Sequence, residues 1–457
     1  MRSPNAFVVV VGVLCALVAC TSKPAEQPKT PEPKPAASTS TGPHFLHDEI
    51  DAAFAEAKRT NKLVFVDAWA PWCHTCLSMQ RDVLSSPALV AWQDRVVFAA
   101  VDTDKPGSSS FAARFPMRVW PTFFAIDPHT EQVLALHGGS LSLPELTAFL
   151  EAAQATRDPA KASDPRLKAL LAGHQASSQK NHAAAAAFYV DAAGLDGPPP
   201  ARQSEAILGA IRAYAAAKDD DACIAFGLKV LPQVRMSGAS SDVVGYLTSC
   251  ADRLKEGDPR KAEVLTIARA RLEELAKHPQ PGASVDDHAD TLAILADVAD
   301  AQKDKAAHDD AHVRRLALLE ADANSRTNVD DARVHDYARM NSYLALGRGD
   351  DAVTLLRTRT TQLPTSYEAW ARLASALHQL KRDDEARPAA LKAIEHSYGP
   401  RRLRYRTLLA DIEAARKDPA GERQAVQALV DDADQLPPGQ RDEAAVVAAK
   451  ARLAALP

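Results

Sequence analysis

The stretch Val64-Phe-Val-Asp-Ala-Trp-Ala-Pro-Trp-Cys-His-Thr-Cys76 places two cysteines where a strand gives way to a helix. Its apolar beginning, rich in Val and Phe, predicts a buried strand that ends before Pro71. Apolar residues then recur at helical spacing after Cys76. The free N–H groups and the positive dipole end at the start of a helix stabilise an anion such as a thiolate. A cysteine placed there has its pKa lowered from about 8.5 to between about 3.5 and 7.5, which makes it reactive.

The composition describes a long, mildly acidic chain with more than one domain. Its 457 residues exceed one typical core, so two or three domains are expected. The formal net charge of -5 gives no indication of a nucleic-acid partner. Six cysteines in so long a chain exclude a small scaffold held together by disulfides. The tryptophans are concentrated in the first third, which indicates that the first third and the rest have different architectures.

The N-terminus predicts export. An apolar run over residues 6–18 has the length of a signal-peptide core and is too short to span a bilayer. Residues 1–20 end in Leu-Val-Ala-Cys and resemble a bacterial lipoprotein signal. This resemblance implies that Cys20 is lipidated and anchors the chain to a membrane, facing the periplasm. The alternative is an ordinary cleaved signal with an incidental cysteine. Residues 21–43 have almost nothing to bury and are predicted to form a Pro-rich disordered tether.

Helical and strand patterns alternate over residues 44–155, which predicts an α/β domain with a central sheet covered on both faces. The predicted strands span residues 63–69, 96–101, 121–126 and 133–136. The predicted helices lie at residues 50–57, directly after Cys76, and at residues 108–115 and 143–150.

These residues resemble the thioredoxin family in identity, order and rough spacing. The matching positions are Asp67, Trp69, Cys73, Cys76, the turn Val119-Trp-Pro-Thr122, and Gly139. The pair between the cysteines is His-Thr and not the Gly-Pro of ordinary thioredoxin. Residues 79–83 and 86–90 look more like the exported domains of disulfide-interchange reductases. The resemblance implies a thioredoxin-like fold with a central mixed sheet and a thiol–disulfide oxidoreductase that needs no cofactor.

The two cysteines have distinct predicted roles. Cys73 is expected to be the exposed attacking thiolate and Cys76 the buried resolving thiol. Attack on a substrate disulfide gives a mixed disulfide, which Cys76 resolves by closing the internal redox-active disulfide. Half a zinc site and a plain structural disulfide are the alternatives. No second Cys/His pair with ligand spacing occurs in this domain, so no metal is expected.

Asp67 is a charged residue inside an apolar strand. Burial of an unpaired carboxylate is costly, so its pKa should rise towards neutrality. The resemblance then implies a catalytic proton shuttle for Cys76. The alternative is a strand-end Asp that faces water. The Lys that often accompanies this Asp is missing, because Ala99 falls at about its position, so slower or more water-dependent proton transfer is expected.

The resemblance also implies a substrate-binding surface made of Trp72, Trp120 and Pro121. Pro121 is expected to follow a cis peptide bond and to form a turn that receives the substrate backbone. Trp120 replaces the usual aliphatic residue and is expected to restrict which substrates dock. His74 has two interpretations: a positive imidazole that tunes the redox poise, or an exposed side chain with little effect.

From residue 156 to 457, strand patterns vanish and Ala- and Leu-rich helical segments follow one another. Ala352 and Ala386 are equivalent positions 34 residues apart, the length of a tetratricopeptide repeat. The region therefore resembles an all-α solenoid of tetratricopeptide-like repeats, whose surface suits a protein partner. A disulfide between Cys223 and Cys250 is slightly favoured over two free buried thiols. The basic run at residues 401–406 is predicted to be a solvated helix face, with a site for an acidic peptide as the alternative.

Together these features predict a membrane-anchored oxidoreductase that reduces protein disulfides in the cell envelope and serves redox homeostasis. The oxidant and isomerase directions stay open, and the sequence does not identify the electron donor or the client proteins. The second hypothesis is a non-catalytic envelope adaptor or redox sensor whose helical repeats recruit protein partners.

Overall fold

A computed structural model of the chain describes residues 42–158, 163–196, 202–232, 238–279, 281–437 and 439–456, which belong to a single unit. The predicted signal peptide with Cys20 and residues 21–41 of the predicted tether lie outside the described residues. Within these ranges, we find no helix that combines the length and the apolar character needed to span a bilayer.

A mixed five-stranded sheet forms the first part of the described chain, with strand order β1-β3-β2-β4-β5. The pairs β1–β3 and β2–β3 are parallel, whereas β4 runs antiparallel to β2 and β5. The strands are β1 (Phe45–His47), β2 (Leu63–Trp69), β3 (Val96–Asp102), β4 (Thr122–Ile126) and β5 (Val133–Gly138). The helices of this α/β domain are α1 (Ile50–Thr60), α2 (His74–Met79), α3 (Ser109–Arg114) and α4 (Leu143–Thr156).

Strand alternation gives the sheet two apolar faces, and helices cover both of them. On one face, Phe65 and Phe123 pack in the same core as Leu146 of α4. On the other face, Val64 and Val66 share a core with α1 and α3. The predicted strand at residues 63–69 is confirmed at both ends, and the predicted mixed sheet is confirmed as well. The sequence analysis missed β1, which is only three residues long.

The segment after the cysteines is more irregular than a simple helix. Helix α2 continues directly as a π-helical turn at Gln80–Leu84, and a 3-10 helix follows at Pro87–Trp92. Ser86 begins that 3-10 helix by accepting a hydrogen bond from the backbone N–H of Ala88, and Pro87 occupies its first turn. This arrangement leads the chain from α2 into β3.

The rest of the described chain is a helical domain in which consecutive helices pack against one another. Its first half contains α5 (Pro165–Ser178), α6 (His182–Ala193), α7 (Gln203–Ala217), α8 (Asp220–Val230), α9 (Gly238–Asp252), α10 (Pro259–Lys277), α11 (Val285–Ala301) and α12 (Lys305–Ser325). Its second half contains α13 (Val329–Ala332), a 3-10 turn at Arg333–His335, α14 (Asp336–Ala345), α15 (Gly349–Gln362), α16 (Tyr367–Gln379), α17 (Asp383–His396), α18 (Gly399–Ala415), α19 (Pro419–Asp434) and α20 (Glu443–Ala455).

The predicted repeat and the favoured second disulfide are both confirmed. Ala352 and Ala386 lie in the first turns of α15 and α17, and both are fully buried. Small residues at these equivalent positions allow neighbouring helices to approach closely. Cys223 on α8 is bonded to Cys250 on α9.

The helical domain packs against the α/β domain at several places. Arg202 and Arg212 from the α7 region donate hydrogen bonds to the carbonyl oxygens of Leu134 and Gly138 on β5, at 2.8 and 2.7 Å. Near the other end of the chain, Gln440 donates to the Thr103 carbonyl oxygen at 2.8 Å. The α/β domain therefore contacts both ends of the helical domain, and the boundary at residues 155/156 stays a prediction.

Candidate active site

The two cysteines of the α/β domain are bonded to each other at the start of α2. Cys73 is the N-cap residue, and its extended backbone turns the Sγ atom towards the first helical turn. The Cys76 N–H lies 3.0 Å from this Sγ and donates to it. A thiolate formed at Cys73 would be stabilised by the same N–H and by the helix dipole.

Asp67 on β2 is fully buried, so the interpretation of a water-facing carboxylate is wrong. Its Oδ2 accepts a hydrogen bond from Gln80 Nε2 at 3.0 Å, whereas its Oδ1 has no hydrogen-bond partner. Burial raises the pKa of Asp67 to about 7, although the Gln80 hydrogen bond acts to lower it. The side chain can therefore hold or release a proton near neutrality.

Gln80 links the Asp67 carboxyl group to the face of α2 that carries Cys76. The two residues are four positions apart in one continuous helical segment, so their side chains project on the same side. The sequence analysis missed Gln80, although the spacing from Cys76 was a usable signal. Gln80 gives Asp67 a neutral polar partner. Ala99, at about the position of the missing Lys, is buried in β3 and provides no charge.

Cys73 is only 5 % exposed, so the prediction of an exposed attacking cysteine is wrong for this structure. The reason is that residues on both sides of Cys73 contact the helical domain. His74 Nδ1 lies 2.9 Å from Asp286 Oδ1 on α11, and its ring stacks on Tyr337 of α14. Pro71 on the other side lines a small cleft together with Tyr367.

The contacts of His74 decide between its two interpretations. Its side chain is one-fifth exposed and paired with Asp286, so the solvent-exposed interpretation is wrong. Burial alone would lower the pKa of His74, but the carboxylates of Asp286 and Asp290 raise it to about 9. A positively charged imidazole therefore follows Cys73 directly in the chain.

Trp72 connects the cysteines to the helical domain from the opposite side. Its Nε1 donates to Asp104 Oδ2 at 2.8 Å, and its ring meets the Trp120 ring edge-on with centroids 5.3 Å apart. The Arg401 guanidinium lies 4.5 Å from the centre of the Trp72 ring. The Trp120–Pro121 peptide bond is cis, as predicted.

The Arg401 contact also corrects the interpretation of the basic run at residues 401–406 as a solvated helix face. Leu403 and Tyr405 are buried in this run, and Arg406 pairs with Asp432 at 2.9 Å. Basic residues of helix α18 therefore contact other residues of this protein.

A cavity of about 1300 Å³ lies between the two domains and is lined by both Trp72 and Trp120. The cationic residues that line it are Arg118, Lys180, Arg212, Arg401, Arg404 and Arg452. The carboxylates that line it are Asp104, Glu205 and Asp442. Burial raises the pKa of Asp104 to about 7, against the Trp72 hydrogen bond that lowers it. Cations therefore outnumber carboxylates on the wall of this cavity.

Sequence reasoning missed the residues that the helical domain brings to the site, namely Asp286, Tyr398 and Arg401. Tyr398 donates to Asp102 Oδ2 at 2.5 Å. These partners are about 200 to 330 residues away from the cysteines in the chain, and no local pattern identifies such long-range contacts.

Comparison with known proteins agrees with the fold of the α/β domain. Residues 46–128 match a family model described as thioredoxin-like, and this segment includes Asp67, Cys73, Cys76 and Pro121. The predicted thioredoxin-like domain is confirmed. No curated protein matches the chain. Among solved structures, a thermophilic TPR protein from Thermus thermophilus matches with a TM-score of 0.31 and 18% sequence identity, covering 46% of this chain and 98% of that chain.

Proposed function

We propose that this protein is a thiol–disulfide oxidoreductase that reduces disulfide bonds in protein substrates through Cys73 and Cys76. One observation carries the proposal: a Cys-X-X-Cys disulfide caps the start of a helix inside a thioredoxin-like fold. The Asp67 carboxyl group is buried, titrates near neutrality and contacts Gln80, four residues after Cys76, which supports the same chemistry.

The reaction uses the reduced dithiol. The Cys73 thiolate attacks one sulfur of the substrate disulfide, that S–S bond breaks, and the first substrate sulfur leaves as a thiolate. Cys76 then attacks Cys73 Sγ, which forms the internal disulfide and releases the second substrate thiolate. The substrate gains two electrons and the protein loses two. An external dithiol donor must therefore return the protein to its reduced form.

Asp67 supplies the proton acceptor for the second step. A thiol attacks far more slowly than a thiolate, so Cys76 must lose its proton before ring closure. An ionised Asp67 accepts that proton on the side of the helical segment where the Gln80 and Cys76 side chains project. Because the pKa of Asp67 is about 7, both its charged and neutral forms are present at neutral pH.

The substrate approaches through the cavity between the domains. Cys73 offers little open surface, while Trp72, the residue before it, lines the cavity together with Trp120. An extended segment fits such a passage better than the surface of a folded protein. The excess of cations on the wall favours segments that carry Asp, Glu or several exposed carbonyl groups.

We further propose that this activity is located in the cell envelope. We propose that Cys20 carries lipid, that residues 21–43 act as the tether, and that the domains face the periplasm. A lipoprotein-type leader and an oxidised second disulfide support this location, because disulfides persist in oxidising compartments.

A direct test uses the reduced protein and a self-quenched peptide whose two halves are joined by a disulfide. The wild-type protein should release the fluorescent half, and Cys73→Ser should fall to the background rate. The double variant Cys223→Ser with Cys250→Ser is the matched control and should keep its activity per folded molecule. The reduction potential then gives the direction, since about −270 mV favours a reductase and about −120 mV an oxidant.

The burial of Cys73 supports a second candidate, a redox sensor or adaptor in which the helical domain recruits a protein partner. In that case wild type and Cys73→Ser would release the fluorescent half at the same rate. Trapping with Cys76→Ala separates the candidates further, because an enzyme lacking its resolving thiol accumulates mixed disulfides with clients. An adaptor would yield none.

A further inference from the structure

Two imidazoles and two carboxylates meet where the start of α2 contacts the helical domain. His74 Nδ1 lies 2.9 and 3.2 Å from the two carboxylate oxygens of Asp286. Asp290 follows one turn later on the same face of α11. One donor atom from each of His74, Asp286 and Asp290 lies within 4.8 Å of the other two. The donor atoms of these three residues are thus close enough to share one cation.

His335 supplies an independent observation that points to a ligand. Its side chain is fully buried, and its Nε2 lies 2.8 Å from Asp322 Oδ2. Its Nδ1 has no hydrogen-bond partner and lies 3.7 Å from Asp286 Oδ1, which is too long for a hydrogen bond. A buried polar atom without a partner is costly, so this nitrogen requires an explanation.

The surroundings of His335 match those of a metal-bound histidine. Such a residue typically holds one ring nitrogen against a carboxylate, which fixes the ring and leaves the other nitrogen free for the metal. Asp322 fills this outer role and is itself held by Arg81 Nη1 at 3.3 Å. The other nitrogen, Nδ1, lies 3.7 Å from the carboxylate of Asp286, which also contacts His74.

We propose that His74, Asp286, Asp290 and His335 form a binding site for one Zn²⁺ ion. Zn²⁺ binds imidazole nitrogen and carboxylate oxygen at about 2.0–2.2 Å and favours four tetrahedral ligands, whose mutual distances are then about 3.3 Å. The contacts of 2.9 and 3.7 Å that Asp286 makes with the two imidazoles bracket this distance. Mg²⁺ and Ca²⁺ prefer oxygen ligands alone, so two imidazoles argue against them.

The cluster lies where the start of α2 meets the helical domain. The Arg315 guanidinium contacts Asp290 Oδ1 only loosely, at 3.5 Å, and leaves this carboxylate available as a ligand. The ligands come from α2, α11 and the turn before α14, so the ion would tie the redox helix to the helical domain. The site does not depend on the redox activity proposed above.

The test measures Zn²⁺ bound to the oxidised full-length protein after equilibrium dialysis, by atomic emission. Oxidised protein is used because sulfurs in disulfides do not compete as thiolate ligands. Wild type should bind one Zn²⁺ per chain. Asp290→Asn should lower the affinity by at least about tenfold, since one charged ligand is lost. Asp300→Asn, an exposed position on the same helix, is the matched control and should bind as wild type does.

Cobalt provides a second measurement that needs no variant. Co²⁺ bound by two imidazoles and two carboxylates should give the strong visible bands of a four-coordinate ion without a thiolate charge-transfer band. Weak bands typical of six-coordinate Co²⁺, or a thiolate band in oxidised protein, would overturn the assignment. Failure of wild type to retain Zn²⁺, or equal binding by Asp290→Asn, would overturn it as well, whatever the disulfide assay shows.

Discussion

The regions around the two disulfides are alike in burial and different in chemistry. Cys223 and Cys250 are fully buried in the same core as Ile224, Val243, Leu247 and other apolar residues, and the Arg253 guanidinium lies 3.3 Å from Cys250 Sγ. Cys73 and Cys76 are buried as well, but His74 follows Cys73 in the chain, and Asp67 contacts Gln80, four residues after Cys76. Burial alone therefore does not distinguish a structural disulfide from a reactive one.

The two bonds also differ in the length of chain that they close. Cys223 and Cys250 are 27 residues apart, whereas Cys73 and Cys76 are three apart. A bond that closes a longer loop removes more entropy from the unfolded chain. A short loop at the start of a helix suits a bond that opens and closes, and a largely apolar core with a long loop suits a bond that stays closed.

The largest expected effect concerns stability. Replacing both Cys223 and Cys250 with Ala should lower the free energy of unfolding by about 3–4 kcal/mol, the entropy effect of a loop of this length. Urea denaturation of oxidised protein measures it. The matched control replaces Cys73 and Cys76 with Ala and should lose less than about 2 kcal/mol. Equal losses would contradict the proposed division between a structural and a reactive bond.

The second effect concerns the buried carboxyl group of Asp67, in the same domain as the Cys73–Cys76 bond. Burial raises the pKa of Asp67 from 3.8 to about 7, so between these values the folded chain holds a proton that the unfolded chain has lost. The contribution of Asp67 to stability is therefore present below pH 4 and is lost as the pH rises through about 7. Relative to Asp67→Asn, wild type should lose about 3–4 kcal/mol of stability between pH 4 and 8.

Urea denaturation at several pH values measures this difference. Asp94→Asn, at an exposed position in the same domain, is the control and should follow the wild-type profile. Parallel profiles for wild type and Asp67→Asn would show that Asp67 does not hold a proton near neutrality.

The fold of the α/β domain was largely predictable because the sequence patterns that indicate it are local. Strand β2, the helix-capping Cys73 and the cis bond before Pro121 all follow from a short stretch or a family turn. The exposure of Cys73 was not predictable, because His74 reaches Asp286, which is 212 residues away in the chain. Repeat periodicity indicates that the helices stack, but it does not indicate which residues of the α/β domain they contact.

A smaller effect compares the redox potentials of the two bonds. The Cys73–Cys76 bond should be at least about 30 mV more positive than the Cys223–Cys250 bond, a tenfold difference in the equilibrium with a dithiol. The cause is the stabilisation of the Cys73 thiolate by the Cys76 N–H at the start of α2, which favours the reduced form. Redox titration followed by alkylation and mass spectrometry measures both potentials in one sample. Equal potentials would remove the chemical distinction between the two regions.

The smallest effect concerns how the helical domain limits the solvent exposure of Cys73. In the Cys76→Ala background, Arg401→Gln removes the guanidinium from the Trp72 ring, a contact that contributes about 0.5–1 kcal/mol. If this contact keeps the helical domain closed over Cys73, its loss should raise the alkylation rate of Cys73 about two- to fivefold. This factor is the free energy of the contact expressed as a change in the opening equilibrium. Lys417→Gln, exposed shortly after the same helix, is the control and should leave the rate unchanged. A slower rate in Arg401→Gln would instead mean that the arginine charge activates the thiolate, because loss of a nearby cation raises a thiol pKa.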